Sequence, residues 1–362
     1  MVEENDDVHG DDPRAVCRRS AVDGRQRLGG SLATRYVASH HQPSDPVANF
    51  RFPSYLILVL LLAAIPMTVV AQDNPDRMAG DSLRAAGDVV AAVEAYTRAY
   101  DATPADERAG EDGIAYALAS TYALHTEYMD PAFAYLTEAL PGMTSMKVLY
   151  DPDLYFMAED ARWTGIENTM LDRLAMQVTG PFNRELARKL FHMRRNEWVG
   201  RYHIMLLFRQ TAGQSPVLTM LSHAMGKRHK ENEAVLMDIL DDGGWPPISA
   251  VGEAAAFAAA NTLTHMDLES RLSVLPIMER ACEAGEADWN EYAPSYDRTE
   301  LESGRPQVYG TQMELDEASG NYVPRRMIDP EHVDERRAAK GMEPIADQLA
   351  RFNAAMKRDF GG

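Results

Sequence analysis

From Asn183 onward the apolar residues recur three and four positions apart, the spacing of one face of an α-helix. Leu186, Leu190, Met193 and Glu197 follow it, as do Leu218, Leu221, Met225, Val235, Leu236 and Ile239 in the next long segment. Gly243-Gly244 ends that second helix and Trp245-Pro246-Pro247 makes a rigid corner, because Gly accepts a left-handed backbone and Pro cannot continue a helix. Ser249 is placed to cap an alanine-rich helix running through Glu253 and Phe257 to His265. A further helix covers Leu268 to Ala284, where Gly285 stops it. At Val308 to Leu315 and Asn321 to Met327, around the turn-forming stretch Asp316 to Gly320, the sequence predicts a single β-hairpin. Two short helices, Pro330 to Ala339 and Pro344 to Met356, finish the chain, with Gly341 between them.

Upstream, the helical pattern repeats. Gly80, Leu83, Gly87, Ala92, Tyr96, Ala99 and Pro104 occupy the small, large and helix-stopping positions of a tetratricopeptide repeat, in which small residues let two antiparallel helices approach while an aromatic fills the groove. A second, less regular copy follows: Ala119 and Tyr122 on its first helix, Ala132, Leu136 and Ala139 on its second. Two repeats bury little alone, so Asp151 to Gln177 is expected to cap the stack through Asp153, Leu154, Arg162 and Trp163. The expected fold class is therefore mainly α: tetratricopeptide-like hairpins over residues 72–178, then a helical domain with one small β-hairpin over 184–358.

Residues 1–50 lack apolar periodicity and read as a disordered leader. Tyr55 to Ala71 is apolar or nearly so, follows Arg51, and ends in Val-Val-Ala, so residues 51–71 read as a signal peptide or signal anchor. Pro66 and a length short of a full span favour cleavage before Gln72, hence export to the periplasm or medium. A membrane association is expected only if that segment stays uncleaved. With Cys17 upstream of the cleavage point, Cys282 is left as a small buried residue without an internal disulfide partner.

The chain has 55 Asp and Glu against 36 Lys and Arg, a formal charge of -19, nearly all of the excess lying after residue 71. Such a surface repels phosphate backbones and excludes a nucleic-acid partner. It makes the cationic and amide-rich stretch from Gly304 to Arg337 stand out.

Five motifs in that half carry a resemblance: Gly244-Trp245-Pro246, His265-Met266-Asp267, Asp297-Arg298, Gln307 to Gln312, and Val333 to Arg337. In their order over residues 184–352 they resemble the bacterial domain-of-unknown-function family 6624. Thr264 departs from the Gln usual there, and the insert Glu317 to Tyr322 is longer than the family pattern. The resemblance implies a mostly helical domain, often joined to tetratricopeptide-like repeats and an export signal, and implies no activity.

Candidate chemistry lies in the same motifs. His265 and Asp267 suit a base with its orienting carboxylate, or two metal ligands; as structural residues, His265 would complement a helix C terminus and Asp267 cap the next helix. Arg298, Arg336 and Arg337 with Gln307, Tyr309 and Gln312 suit an anion or amide pocket; alternatively Asp297 and Asp334 neutralise the arginines in an internal network. His223 and His229, among Lys227, Arg228 and Lys230, read as a solvated face, and His192 and His203 lack acidic partners at i+4. No phosphate loop, nucleophile elbow or zinc signature occurs, and no cofactor or metal is assigned. The leading expectation is an exported module that binds a protein or peptide through the repeat groove. The alternative is a cell-envelope hydrolase built from His265, Asp267, Asp297, Arg298, Tyr309 and Arg336.

Overall fold

The computed structural model describes residues 74–211 and 214–360, all within one compact unit; the leader and the apolar segment 55–71 lie outside the described residues. The protein is mainly helical with a single two-stranded sheet among the described residues. No described helix is long and apolar enough to cross a membrane.

Helices α1 (Pro75–Ala85) and α2 (Val89–Ala102) form the first hairpin. Asn74 starts α1 by accepting the amides of Asp76 and Arg77 at 3.0 and 3.2 Å, with Pro75 in the first turn where no amide is missed. Gly87 turns the chain at φ 83° and Asp88 caps α2 through the Ala91 amide. The two helices close on each other at Gly80, where a Cβ atom would lie 2.5 Å from the Tyr96 ring, and the Tyr96 hydroxyl donates to Asp81 at 2.6 Å. Pro104 follows the extended Thr103 that ends α2.

The second hairpin pairs α3 (Ile114–Tyr122) with α4 (Met129–Ala139), and Ala119, Ala132, Leu136 and Ala139 are buried between them. Short 3₁₀ turns at Lys147–Leu149 and Pro152–Glu159 then lead into α5 (Trp163–Ala175), whose Trp163 is buried. The Tyr116 hydroxyl donates to the buried Asp151 at 2.7 Å, and Arg84 pairs with Asp153, tying these turns to both hairpins.

Two 28-residue helices follow, α6 (Arg184–Thr211) and α7 (Pro216–Gly243). Their contacts run antiparallel: Gly200 faces Met225, Arg228 donates to the Asn196 carbonyl, and Asn232 to that of Met193. Gly244, at φ 80°, ends α7 before the Trp-Pro-Pro corner. Ser249 does not cap the alanine-rich helix. It sits in the single turn α8 (Ile248–Val251) and donates to Glu286 at 2.8 Å, while Gly252, at φ 78°, starts α9 (Glu253–His265). Helix α9 is buried on every side and packs on α6, α7 and α11.

Helices α10 (Leu268–Glu283) and α11 (Trp289–Glu302) complete this layer; Cys282 is buried in α10, and burial pushes its thiol up to about 12. The hairpin is shorter than its sequence suggests, β1 (Met313–Asp316) pairing with β2 (Asn321–Pro324) in the register Met313 to Pro324. Residues 308–311 are withheld from the strand because the amides of Val308, Tyr309 and Thr311 bond to the Asp297 side chain instead. Helices α12 (Val333–Ala338) and α13 (Ile345–Phe360) end the chain.

One core cluster extends from Ala115 through Trp163, Leu190, Leu236 and Leu263 to Met342, so helices on both sides of residue 180 share an interior. A satellite cluster around Tyr96, Ala99 and Leu118 serves the first hairpin.

The Gly80 contact gives a direct test. Gly80→Val should lower unfolding free energy by about 2 kcal/mol through overpacking, seen as a reduced urea midpoint. Tyr96→Phe, which keeps the ring, should cost no more than ~1 kcal/mol.

Candidate functional site

The motifs prominent in the sequence divide into a structural clamp and a buried polar centre. The clamp is built on Asp297, buried on α11, whose carboxylate accepts the amides of Val308, Tyr309 and Thr311 at 2.7, 2.9 and 2.9 Å and the Thr311 hydroxyl at 2.8 Å. Burial raises its pKa, against which these donors act. Gln307 donates to the carbonyls of Gln312 and Arg325 at 3.0 and 2.8 Å and accepts the Gln312 amide at 2.8 Å; the Gln312 side chain donates to Pro294 at 3.0 Å.

Arg336 donates to the carbonyls of Val308, Asp329 and Ile328, and the buried Arg337 to those of Glu343 and Tyr309 and to the Gln348 side chain. Asp334 accepts the Ile345 amide at 2.8 Å. The network is internal, but its pairing differs from the expected one. Its arginines satisfy backbone carbonyls and its aspartates satisfy backbone amides, because a turn-rich segment without a ladder leaves both kinds of group needing partners. Tyr309 packs edge-on against Tyr296 at 6.0 Å.

His265 and Asp267 point to different partners. Asp267 is exposed and caps α10 by accepting the Ser270 amide at 2.9 Å, with Lys230 at 3.1 Å. The carboxylate beside His265 is Glu197 of α6, with Oε1 3.4 Å from Nε2. Arg201, one turn further along α6, donates from Nη2 to Glu197 at 2.7 Å, to Asn261 at 3.1 Å and to His265 Nε2 at 3.1 Å. Asn261 in turn donates to the other Glu197 oxygen. His229 stacks on His265 with ring centroids 4.2 Å apart, and its Nε2 is buried without a hydrogen-bond partner.

His229 therefore faces inward, contrary to the solvated face its basic neighbours suggested. It lies on the stripe of Met225, Asn232 and Leu236, all buried. Arg298 donates to the Thr264 carbonyl at 2.7 Å and pairs with Glu302, holding the end of α9 beside this centre.

Charge in the centre follows from burial and proximity. Burial would raise the Glu197 pKa, but Arg201 and His265 outweigh it and hold the carboxyl well below the usual range. Burial and the neighbouring His265 push His229 down to about 4, and burial lowers His265 despite Glu197. Near neutrality the centre thus holds a carboxylate, a guanidinium and two neutral imidazoles. His192 meets Glu167 at 2.7 Å, and His203 bonds to its own helix at Val199. Of the six residues of the hydrolase alternative, Asp297 bonds the Tyr309 amide, Arg336 and Arg298 donate to the Val308 and Thr264 carbonyls, Asp267 pairs with Lys230, and His265 meets Glu197.

A cavity of about 550 Å³ lies elsewhere, between Tyr150 and helices α6, α9, α10 and α11. Its wall includes Arg194, whose guanidinium carbon lies 3.7 Å from the Tyr150 ring centroid and 4.5 Å from that of Phe257, and which donates to the Ala254 carbonyl. Glu253, Asp288 and Glu291 line it with Trp245 and alanines of α9. Burial, then the like charge of Asp288, push Glu291 up to about 7, opposed by Arg194. The sequence offered little sign of this cavity, since its residues come from four separated segments.

Comparison with known proteins bears on the C-terminal half. Residues 207–357 match the family described as Family of unknown function (DUF6624). The match starts later than the resemblance from residue 184 yet contains all five motifs, and it covers His229 and His265 but not Glu197, Arg201 or Arg194. No curated protein and no solved structure matches the chain.

Two outcomes are expected. Asp297→Asn, which sets an amide N–H₂ against the loop amides, should destabilise by about 2–3 kcal/mol and raise hydrogen exchange at residues 308–311. Glu291 has a folded pKa above its unfolded value of 4.5, so its contribution is fully present below about pH 4.5 and is lost as pH rises through about 7. Glu291→Gln should therefore match wild type at pH 4 and exceed it at pH 8 by something on the order of 3 kcal/mol, measured by urea unfolding at both pH values.

Proposed function

We propose that the protein is an exported protein- or peptide-binding module with tetratricopeptide-like repeats, and that the Glu291 cavity receives a cationic side chain of the ligand. Export rests on the apolar segment 55–71 and its small-residue end. The repeat reading is supported by two successive helical hairpins, with Gly80 against Tyr96 at the crossing where that repeat design needs a small residue facing an aromatic.

The observation that carries the ligand class is Glu291 in a cavity of about 550 Å³. Three carboxylates share the lining with one guanidinium, so the pocket is short of positive charge. That guanidinium already stacks between Tyr150 and Phe257 and bonds to Ala254. A Lys or Arg side chain would supply the missing charge, with its apolar stem against the alanines and Trp245. Pairing would favour the ionised form of Glu291, so binding should release a proton below neutrality.

Fluorescence anisotropy with short labelled peptides of basic, neutral and acidic composition tests this. The basic peptide should bind, its affinity should rise from pH 5.5 to 8, and Glu291→Gln should weaken it at least tenfold at pH 8. Equal binding of all three peptides, or an unchanged affinity in the variant, would refute the assignment.

A further inference from the structure

Three side chains able to hold a cation converge between α6, α7 and α9, apart from the cavity. Glu197, His229 and His265 offer ligand atoms that all lie within 4.8 Å of one another. The 3.4 Å between Glu197 Oε1 and His265 Nε2 is close to the separation of two donors on one tetrahedral ion with bonds of about 2.0–2.1 Å. His229 adds a buried Nε2 with no hydrogen-bond partner. Buried polar atoms normally have partners, so this nitrogen calls for one.

We propose that Glu197, His229 and His265 form a binding site for a divalent transition-metal ion of the zinc class, with Arg201 holding the cation position when the metal is not bound. An arginine can only donate, so its approach to His265 Nε2 at 3.1 Å requires that nitrogen to present its lone pair. The same Nη2 lies 2.7 Å from Glu197 Oε1, so one cationic N–H group addresses two of the atoms a metal would take.

Arg201 is poorly served in this place. Its Nε and Nη1 are buried without partners, a costly state for a charged group. Exchange for an ion that uses the imidazoles and the carboxylate directly would give His229 Nε2 a partner and relieve the guanidinium. Asn261, donating to Glu197, would hold the carboxylate in orientation. Two imidazoles and one carboxylate form a donor set found at zinc sites with an open coordination position.

The test is calorimetric titration of the metal-stripped full-length protein with Zn²⁺, paralleled by the visible absorption of Co²⁺. Wild type should bind one equivalent at this site. His229→Ala and His265→Ala should each weaken it at least tenfold with the circular dichroism unchanged. Arg201→Met should strengthen it at least tenfold, because the competing cation is gone. His332→Ala, in the exposed Asp329, Glu331 and His332 group, should leave it unaltered. Failure of both wild type and Arg201→Met to bind an equivalent overturns the proposal, whether or not the histidine variants fold. Binding that survives both histidine variants, or that disappears in His332→Ala, overturns it as well.

Discussion

The structure depends on how closely other helices can approach α9. Ala255, Ala256, Ala258, Ala259 and Ala260 are buried, and their small side chains leave room for α6, α7 and α11 around one axis. Larger residues would push those neighbours outward, and dense interiors tolerate little added volume. The same helix supplies both polar features. Its alanines line the cavity beside Arg194 and Glu291, while its last turn carries Asn261 and His265 to Glu197 and Arg201.

A second constraint acts on the C-terminal segment, which is largely irregular. A buried irregular backbone must find partners for each amide and carbonyl, and with only four residues in each strand the sheet satisfies few of them. Asp297 takes three amides, while Arg336 and Arg337 take carbonyls from the same loop and its neighbours. Residues that suggested a ligand pocket thus do the work of a sheet. A guanidinium fork or a carboxylate meets several backbone groups at once, which explains why such side chains crowd an irregular segment.

The acidic character of the chain stops at the interior of α6. Arg194, Arg195 and Arg201 each have at least one buried N–H without a partner. Arg194 and Arg201 border the two polar features, where burial shifts carboxyl and imidazole groups in opposite senses. Burial and the like charge of Asp288 move Glu291 toward its neutral form, whereas Glu197 stays ionised because Arg201 and His265 are close. Carboxyl groups in one small domain are thereby held in different states by position alone.

The sequence by itself determined the helical class, the glycine stops at Gly244, Gly285 and Gly341, the Gly80 and Tyr96 pairing, and the capping role of Asp267, because each is set by residues close along the chain. It overextended the hairpin and gave Ser249 the wrong role, since the Asp297 and Glu286 side chains that claim those groups lie 11 to 37 positions away. Legible but unused were the pairs Glu197 with Arg201 and Asn261 with His265, each one helical turn apart, and the place of His229 on the stripe of Met225, Asn232 and Leu236. Only the tertiary structure decided that these pairs face one another and that His229 turns inward. Helical periodicity fixes which residues share a face, while the packing of α6, α7 and α9 fixes which faces meet.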